Sequence, residues 1–566
     1  MIKPFLFLIT YMSINYAFAA ELPSNNNYWK KLLHYNADKS RVISNEFFIS
    51  QNGNINPAEE LKTTVNLLKG DKGNIIACNY PARYLWIRKS LPDIPFYNLK
   101  QCPELVLFMD QFQKDRIDIV FASEFLNVPS SSFGHIMLVF HDDTQPYLTA
   151  NTIHFAAETN NENFFRYAFN GINGDFNGYF LRSLFFKKKY EYNILEQRYL
   201  HRYTLDFDKA KIKNLLYHLF ELRKATFKYY FIKENCAYQI AILLDIAQGN
   251  PETINHGLYV LPIDVIKYHE KSIIKKEVSL PTVIKTKELI ETMNKYEKMQ
   301  FQSVISNKLD PNIVESDKVI ESLINYYEYN FRRYNHIFDN YETVMSLKHT
   351  KSNLNHDIPE PLERDAPSKI GIGLYGDSRK NGIYLQYRPF LRDVYDIQKD
   401  TQQESELNLF NLDLIAYTDE IKIEELNIIS IKSLSMRSKF FTPYSWMFFA
   451  GANRDNTENS LNFETEFGFG ATTSISTAIV NYTLNSGIDV TENELYLKPE
   501  LSLTLYISSN IKFGLSSSYK YYNDHHYIQS ELFMTYRLSD LTIQTRYKSN
   551  NSDIDKKIIV MLNYYF

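Results

Sequence analysis

Two spacings of apolar residues divide the chain. From about residue 366 onward, apolar and polar positions alternate with a period of two. Ile383, Leu385 and Tyr387 are interleaved with Tyr384, Gln386 and Arg388, and Leu541, Ile543 and Tyr547 with Thr542, Gln544 and Arg546. About twelve such segments of roughly ten residues follow one another, separated by polar turns, which is the pattern of an outer-membrane β-barrel. In the last of them Ile558, Val560, Leu562, Tyr564 and Phe566 share one face. A soluble β-sandwich would also alternate, and the repetition favours the barrel.

Upstream the period is 3.6. Helical spacing is expected over 28–35 and 57–68, and over 207–224, where Ile212, Leu215, Leu216 and Leu219 share a face. Residues 283–350 are charged and Tyr-rich and read as a helical connector. Between these lie strands at Ile117–Phe121, Ile136–Phe140 and Tyr147–Ala157. The Pro and paired aromatics of Cys78–Trp86 predict a fixed loop, and the glycines of Phe169–Tyr179 an ordered surface loop.

Composition adds limits. The 566 residues suffice for two to four domains, and a net charge of −4 without a long basic run points to no nucleic-acid partner. Residues 1–19 read as a secretory signal, with Lys3 ahead of a short apolar run and Ala17-Phe-Ala19 as the cleavage site. An exported chain with three cysteines suggests one disulfide and one free thiol. Cys78 and Cys102 would close a short loop and leave Cys236 free, although the residues alone also allow Cys236 to pair with either.

Candidate chemistry centres on Phe231–Asp245, a polar turn running into a helix whose face carries Ile240, Leu243, Leu244 and Ala247. Asn235 is a good N-cap, placing Cys236 in the first turn, where the helix dipole favours a thiolate. A thiolate attacks acyl carbon and needs a base. The candidate is His135, which opens an apolar strand after the small-residue turn Ser130–Gly134. Taken alone, each is more often a buried core residue. Asn151 and His154 on the next strand are candidates to orient His135, and Glu196 with Arg198 reads as a structural ion pair. No His/Cys/Asp cluster has metal-ligand spacing, and no cofactor is expected.

The order of His on a strand, then Cys at a helix start, resembles the circularly permuted papain-like (NlpC/P60-like) thiol enzymes. Three stretches carry a more specific resemblance: Cys78-Asn-Tyr-Pro-Ala-Arg83 with Cys102, Pro129-Ser-Ser-Ser-Phe-Gly-His135, and Glu234-Asn-Cys-Ala-Tyr238 preceded by Tyr192–Arg198. They resemble the bacterial Lnb-type periplasmic domain, named for a lipoprotein N-acyltransferase, over roughly residues 75–250. The resemblance implies His135 and Cys236 as the catalytic pair, Asn235 as part of the motif, and phospholipid and lipoprotein as substrates.

The expected fold is therefore α+β: signal peptide 1–19, helical N-terminal cap 20–110 with a disulfide, Cys-His domain 111–275 of permuted papain-like fold, helical connector 276–365 and antiparallel β-barrel 366–566 of about twelve strands. The expected function is a thiol-dependent acyltransferase in the periplasm, carried by the outer membrane. The alternatives are a cell-wall peptidase or lipid hydrolase, and a non-enzymatic barrel with an inactive domain.

Overall fold

The computed structural model describes every residue except 1–25, 127–131, 160–163, 250–258, 351–359, 364, 399–402, 455–459 and 551–555. The expected signal peptide and the start of the Pro129–His135 motif are outside the described residues. The chain forms two compact units that interleave in sequence: Met1–Ile117, Phe140–Arg182 and Phe207–Leu258 in the first, and Asp118–Val139, Ser183–Asp206 and Tyr259–Phe566 in the second.

The first unit is built on helices Pro57–Lys69, Gly73–Asn79, Pro81–Ser90, Lys209–Glu221 and Cys236–Gln248. The stretch Cys78–Trp86, expected as a loop, is two helices. Pro81 has no N–H to donate and forces Tyr80 out of helical geometry, to φ −129° and ψ 60°, so one helix ends there and the next begins at the proline. A Cys78–Cys102 disulfide, with Cα atoms 5.4 Å apart, joins the first of these helices to the start of Pro103–Met109. The stretch expected as a glycine loop is instead a helix, Phe164–Asn173, and a strand, Phe176–Leu184. Its glycines have other tasks. A Cβ on Gly171 would stand 2.2 Å from the Phe231 ring, and Gly174 takes the left-handed φ of +76° that ends the helix.

Fully buried Arg83 ties three of the helices together. It donates to Glu60 at 2.9 Å and to the Phe47 carbonyl at 3.0 Å, and faces Glu221 at 3.3 Å. The Cys236 helix is held by the N-terminal segment: Lys31 pairs with Asp245 at 3.1 Å and Tyr28 donates to the Ile246 carbonyl at 3.0 Å. Every residue from Cys236 to Ala247 is buried, so the helix is enclosed on all sides rather than along the single expected stripe.

In the second unit, strand Arg116–Ala122 pairs antiparallel with Leu200–Leu205, and that with Ile273–Ser279. Helices Thr282–Glu291, Lys295–Ile305, Asp317–Tyr334 and Tyr341–Ser346 follow. Their core of Phe301, Val304, Leu323 and Tyr327 takes in Phe440 from a barrel turn, and Tyr326 and Tyr329 flank Phe441 at 5.6 and 5.3 Å. The connector is thus a docked platform.

Twelve antiparallel strands then close a barrel. Lys369–Asp377 pairs with Lys556–Tyr565, and Asn381–Arg388 with Gln403–Ala416. Along Lys556–Tyr565, Ile558, Val560, Leu562 and Tyr564 are exposed while Ile559, Met561, Asn563 and Tyr565 are buried. Aliphatic and aromatic residues cover the outside, and charged and amide residues fill the lumen. Closure pairs every strand and leaves no edge, as a sheet crossing a membrane requires. Among the described residues no helix is long and apolar enough to cross a membrane.

The segment Asp393–Gln398 folds into the lumen. Asp393 takes Lys369 at 2.6 Å, and Asp396 takes Arg388 and, at 2.8 Å, the Tyr565 hydroxyl. Tyr395 donates to Glu531 at 2.9 Å, while Lys512 and Arg537 each reach a backbone carbonyl of the segment at 3.0 Å. Partners from five strands hold it in place.

Candidate functional site

Asn235 caps the Cys236 helix. Its Oδ1 accepts from the Ala237 and Tyr238 N–H groups at 3.0 and 3.2 Å, and its Nδ2 donates to the Phe231 carbonyl at 3.2 Å. The cap fixes the turn that presents Cys236, the cysteine outside the disulfide, which is 4 % exposed. Tyr229, on strand Phe227–Tyr229, places its hydroxyl against both the backbone N–H and the thiol of Cys236. Burial, then the neighbouring Cys236 and Tyr167, push the Tyr229 phenol well above its ordinary range, so it is a neutral O–H at every physiological pH. One residue before the cap, buried Glu234 pairs with Arg41 at 2.9 Å. Burial raises the Glu234 carboxyl, and Arg41 opposes that. Sequence reading passed over Tyr229; the alternation of Phe227, Tyr229 and Phe231 ahead of the Asn-Cys pair marks it as facing the helix start.

Asn151 and His154 are also in this unit, on strand Asn151–Glu158, which packs against the Cys236 helix. Asn151 donates its Nδ2 to the Gln111 carbonyl at 2.5 Å and is committed there to holding a turn. His154 is buried.

His135 belongs to the second unit and opens strand His135–His141. Gly134 before it has φ +86°, and a Cβ there would stand 2.5 Å from the Phe121 ring, so only glycine admits this approach. The His135 ring is 6.0 Å from that of Tyr192, whose face is covered by the Arg198 guanidinium at 4.7 Å. Arg198 pairs with Glu196 at 2.8 Å and donates to the Ser123 and Ala122 carbonyls at 2.5 and 3.0 Å. It therefore anchors the start of the loop that ends in His135. Leu126 and Phe133, the described flanks of that loop, pack against Leu407, Ile429, Ile431 and Trp446. Leu407 and Ile431 alternate with lumen-lining Glu406, Asn408, Ser430 and Lys432, so they face outward. These two flanks thus rest on the outer wall of the barrel. A cavity of about 90 Å³ lies beside them, lined in part by Phe121, Leu126, Ser132, Leu261 and Ile397. Among the described residues no group of three or more His, Cys, Asp or Glu side chains is placed to hold a metal ion.

Three stretches match family models: 22–90 and 359–565 match two domains of unknown function (DUF7843 and DUF7840), and 106–272 match the Lnb N-terminal periplasmic domain. No curated protein matches the chain. Among solved structures, KdgM porin is 8 % identical over 35 % of this chain and 99 % of its own, with a TM-score of 0.24. NanC porin is 5 % identical over 35 % and 99 %, also at 0.24. An outer membrane channel from Pseudomonas putida F1 is 8 % identical over 37 % and 100 %, again at 0.24. The barrel is read from its own closure and alternation. The chain is accordingly an outer-membrane protein of the cell envelope whose residues 106–272 match the Lnb N-terminal periplasmic domain.

Proposed function

We propose that the protein is a thiol-dependent acyltransferase of the cell envelope, with Cys236 as nucleophile and His135 as general base in a permuted papain-like arrangement. The observation that carries this reading is the capped helix start: Cys236, the cysteine outside the disulfide, stands in the first turn with Asn235 fixing the turn and Tyr229 beside its thiol. Its position inside the stretch matching the Lnb domain supports acyl chemistry.

His135 takes the thiol proton as sulfur attacks the ester carbonyl of a phospholipid. Tyr229, a neutral O–H beside the thiol, donates to the oxyanion. The carbon–oxygen ester bond breaks, the lysophospholipid alkoxide leaves with the proton from His135, and a thioester remains on Cys236. An amine, such as a lipoprotein N-terminus, then attacks the thioester, giving an amide and restoring the thiol. Water in place of the amine would give a hydrolase.

The test is the intact mass of the full-length protein after incubation with phospholipid. The expected result is a gain of one fatty acyl chain, removed by hydroxylamine and absent from Cys236→Ala. An unmodified wild-type protein whose Cys236 also resists alkylation would refute the reading.

A further inference from the structure

The barrel lumen holds a cavity of about 340 Å³. One wall of it lies on three adjacent strands, Asn381–Arg388, Gln403–Ala416 and Ile421–Arg437. Across them Gln386 pairs in register with Asp413 and Asp413 with Glu425, while Asn411 pairs with Asn427 alongside. The register slips after Asp413, and both Glu424 and Glu425 line the cavity.

The carboxylates of this wall hold the amide nitrogens. Asp413 accepts from Gln386 Nε2 at 2.9 Å and from Asn411 Nδ2 at 3.1 Å, and Glu425 accepts from Asn427 Nδ2 at 2.9 Å. Those bonds settle which end of each amide is nitrogen. The three amide oxygens are left buried without a donor among the described residues. The same is true of Glu424 Oε2, whose other oxygen takes Lys557 at 2.6 Å. All four residues are at most 6 % exposed. Buried polar atoms are normally satisfied, and these four orphans are of one kind, acceptors, gathered on one wall of a cavity they line. The lining as a whole also carries more carboxylates than cationic side chains.

We propose that this wall binds a primary ammonium group of a linear polyamine. An ammonium brings three N–H donors, no acceptor and a compact positive charge, which is the complement of amide oxygens backed by carboxylates. A sugar hydroxyl would bring acceptors of its own and no charge.

The experiment is calorimetric titration of spermidine into the full-length protein in neutral detergent at near-physiological salt, with a parallel calcium titration. Saturable spermidine binding is expected, weakened at least tenfold in Asn411→Leu/Asn427→Leu and retained in Cys236→Ser. The heat-dependent gel shift of a closed barrel reports folding of each variant. If the double variant does not fold, Asn411→Asp serves instead, and tighter binding is expected. No saturable binding, binding that these substitutions leave unchanged, or binding of calcium in place of spermidine would each overturn the proposal.

Discussion

Leu126, at the start of the loop that delivers His135, is packed against Leu407 on the outward face of the barrel wall. The geometry of the candidate base therefore depends on a strand more than two hundred residues downstream. Leu126→Ala removes a buried side chain, a loss of about 2–3 kcal/mol of local packing. The expected outcome is slower acyl-adduct formation with the barrel still folded. Adduct formation at the wild-type rate would mean the contact does not position His135.

Tyr229 and Cys236 make a second pairing to test. Tyr229→Phe takes away the hydroxyl beside the Cys236 N–H and thiol. Loss of one oxyanion donor typically slows acyl transfer on the order of a hundredfold. Single-turnover acylation should fall accordingly, while a neutral alkylating reagent, which forms no oxyanion, should modify Cys236 with a far smaller change. Equal loss in both assays would point to a collapsed site instead.

His269 gives a pH dependence with a defined sign. Burial lowers its pKa from 6.5 to about 4. Between those values the unfolded chain binds a proton that the folded chain refuses. Its contribution is complete above pH 6.5 and is lost progressively as pH falls toward 4, by about 3 kcal/mol. His269→Asn should flatten the wild-type dependence of melting temperature over that window. Parallel curves for the two proteins would contradict it.

The segment Asp393–Gln398 predicts low conductance. Asp396 holds Arg388, Lys369 and Tyr565 at one end of the lumen. Wild-type protein in planar bilayers should show at most small, rare openings, and Asp396→Ala, which leaves two buried cations short of a partner, should open more often. A large steady wild-type conductance would show that the segment does not obstruct the pore.

Much of this was legible along the chain because the deciding forces are local. The alternation in segments such as Ile383–Arg388 follows from strand geometry alone, and Asn235 before an apolar helix carries its cap by residue type. What escaped depends on partners far away in sequence. Pro81 looked like a loop marker and is a helix start. Gly171 looked like a turn residue and makes room for the Phe231 ring. The surrounded Cys236 helix looked amphipathic because its polar residues, among them Asp245, are buried against partners such as Lys31. Phe440 and Phe441 gave no sign that the connector would grip them, nor the amide residues of the lumen that their nitrogens would be taken and their oxygens left over.

The seam between Lys369–Asp377 and Lys556–Tyr565 has a consequence for the order of assembly. The first barrel strand finds its second neighbour only when the last strand has been made, so the ring cannot shut by stepwise addition of hairpins. Until then both bordering strands offer unpaired backbone to any other sheet. The helical half precedes most of the barrel in the chain and has time to form its disulfide and bury the Cys236 helix first. Insertion of the barrel would then be the last irreversible event in the protein's maturation, and the step at which a chaperone for exposed edges is most needed.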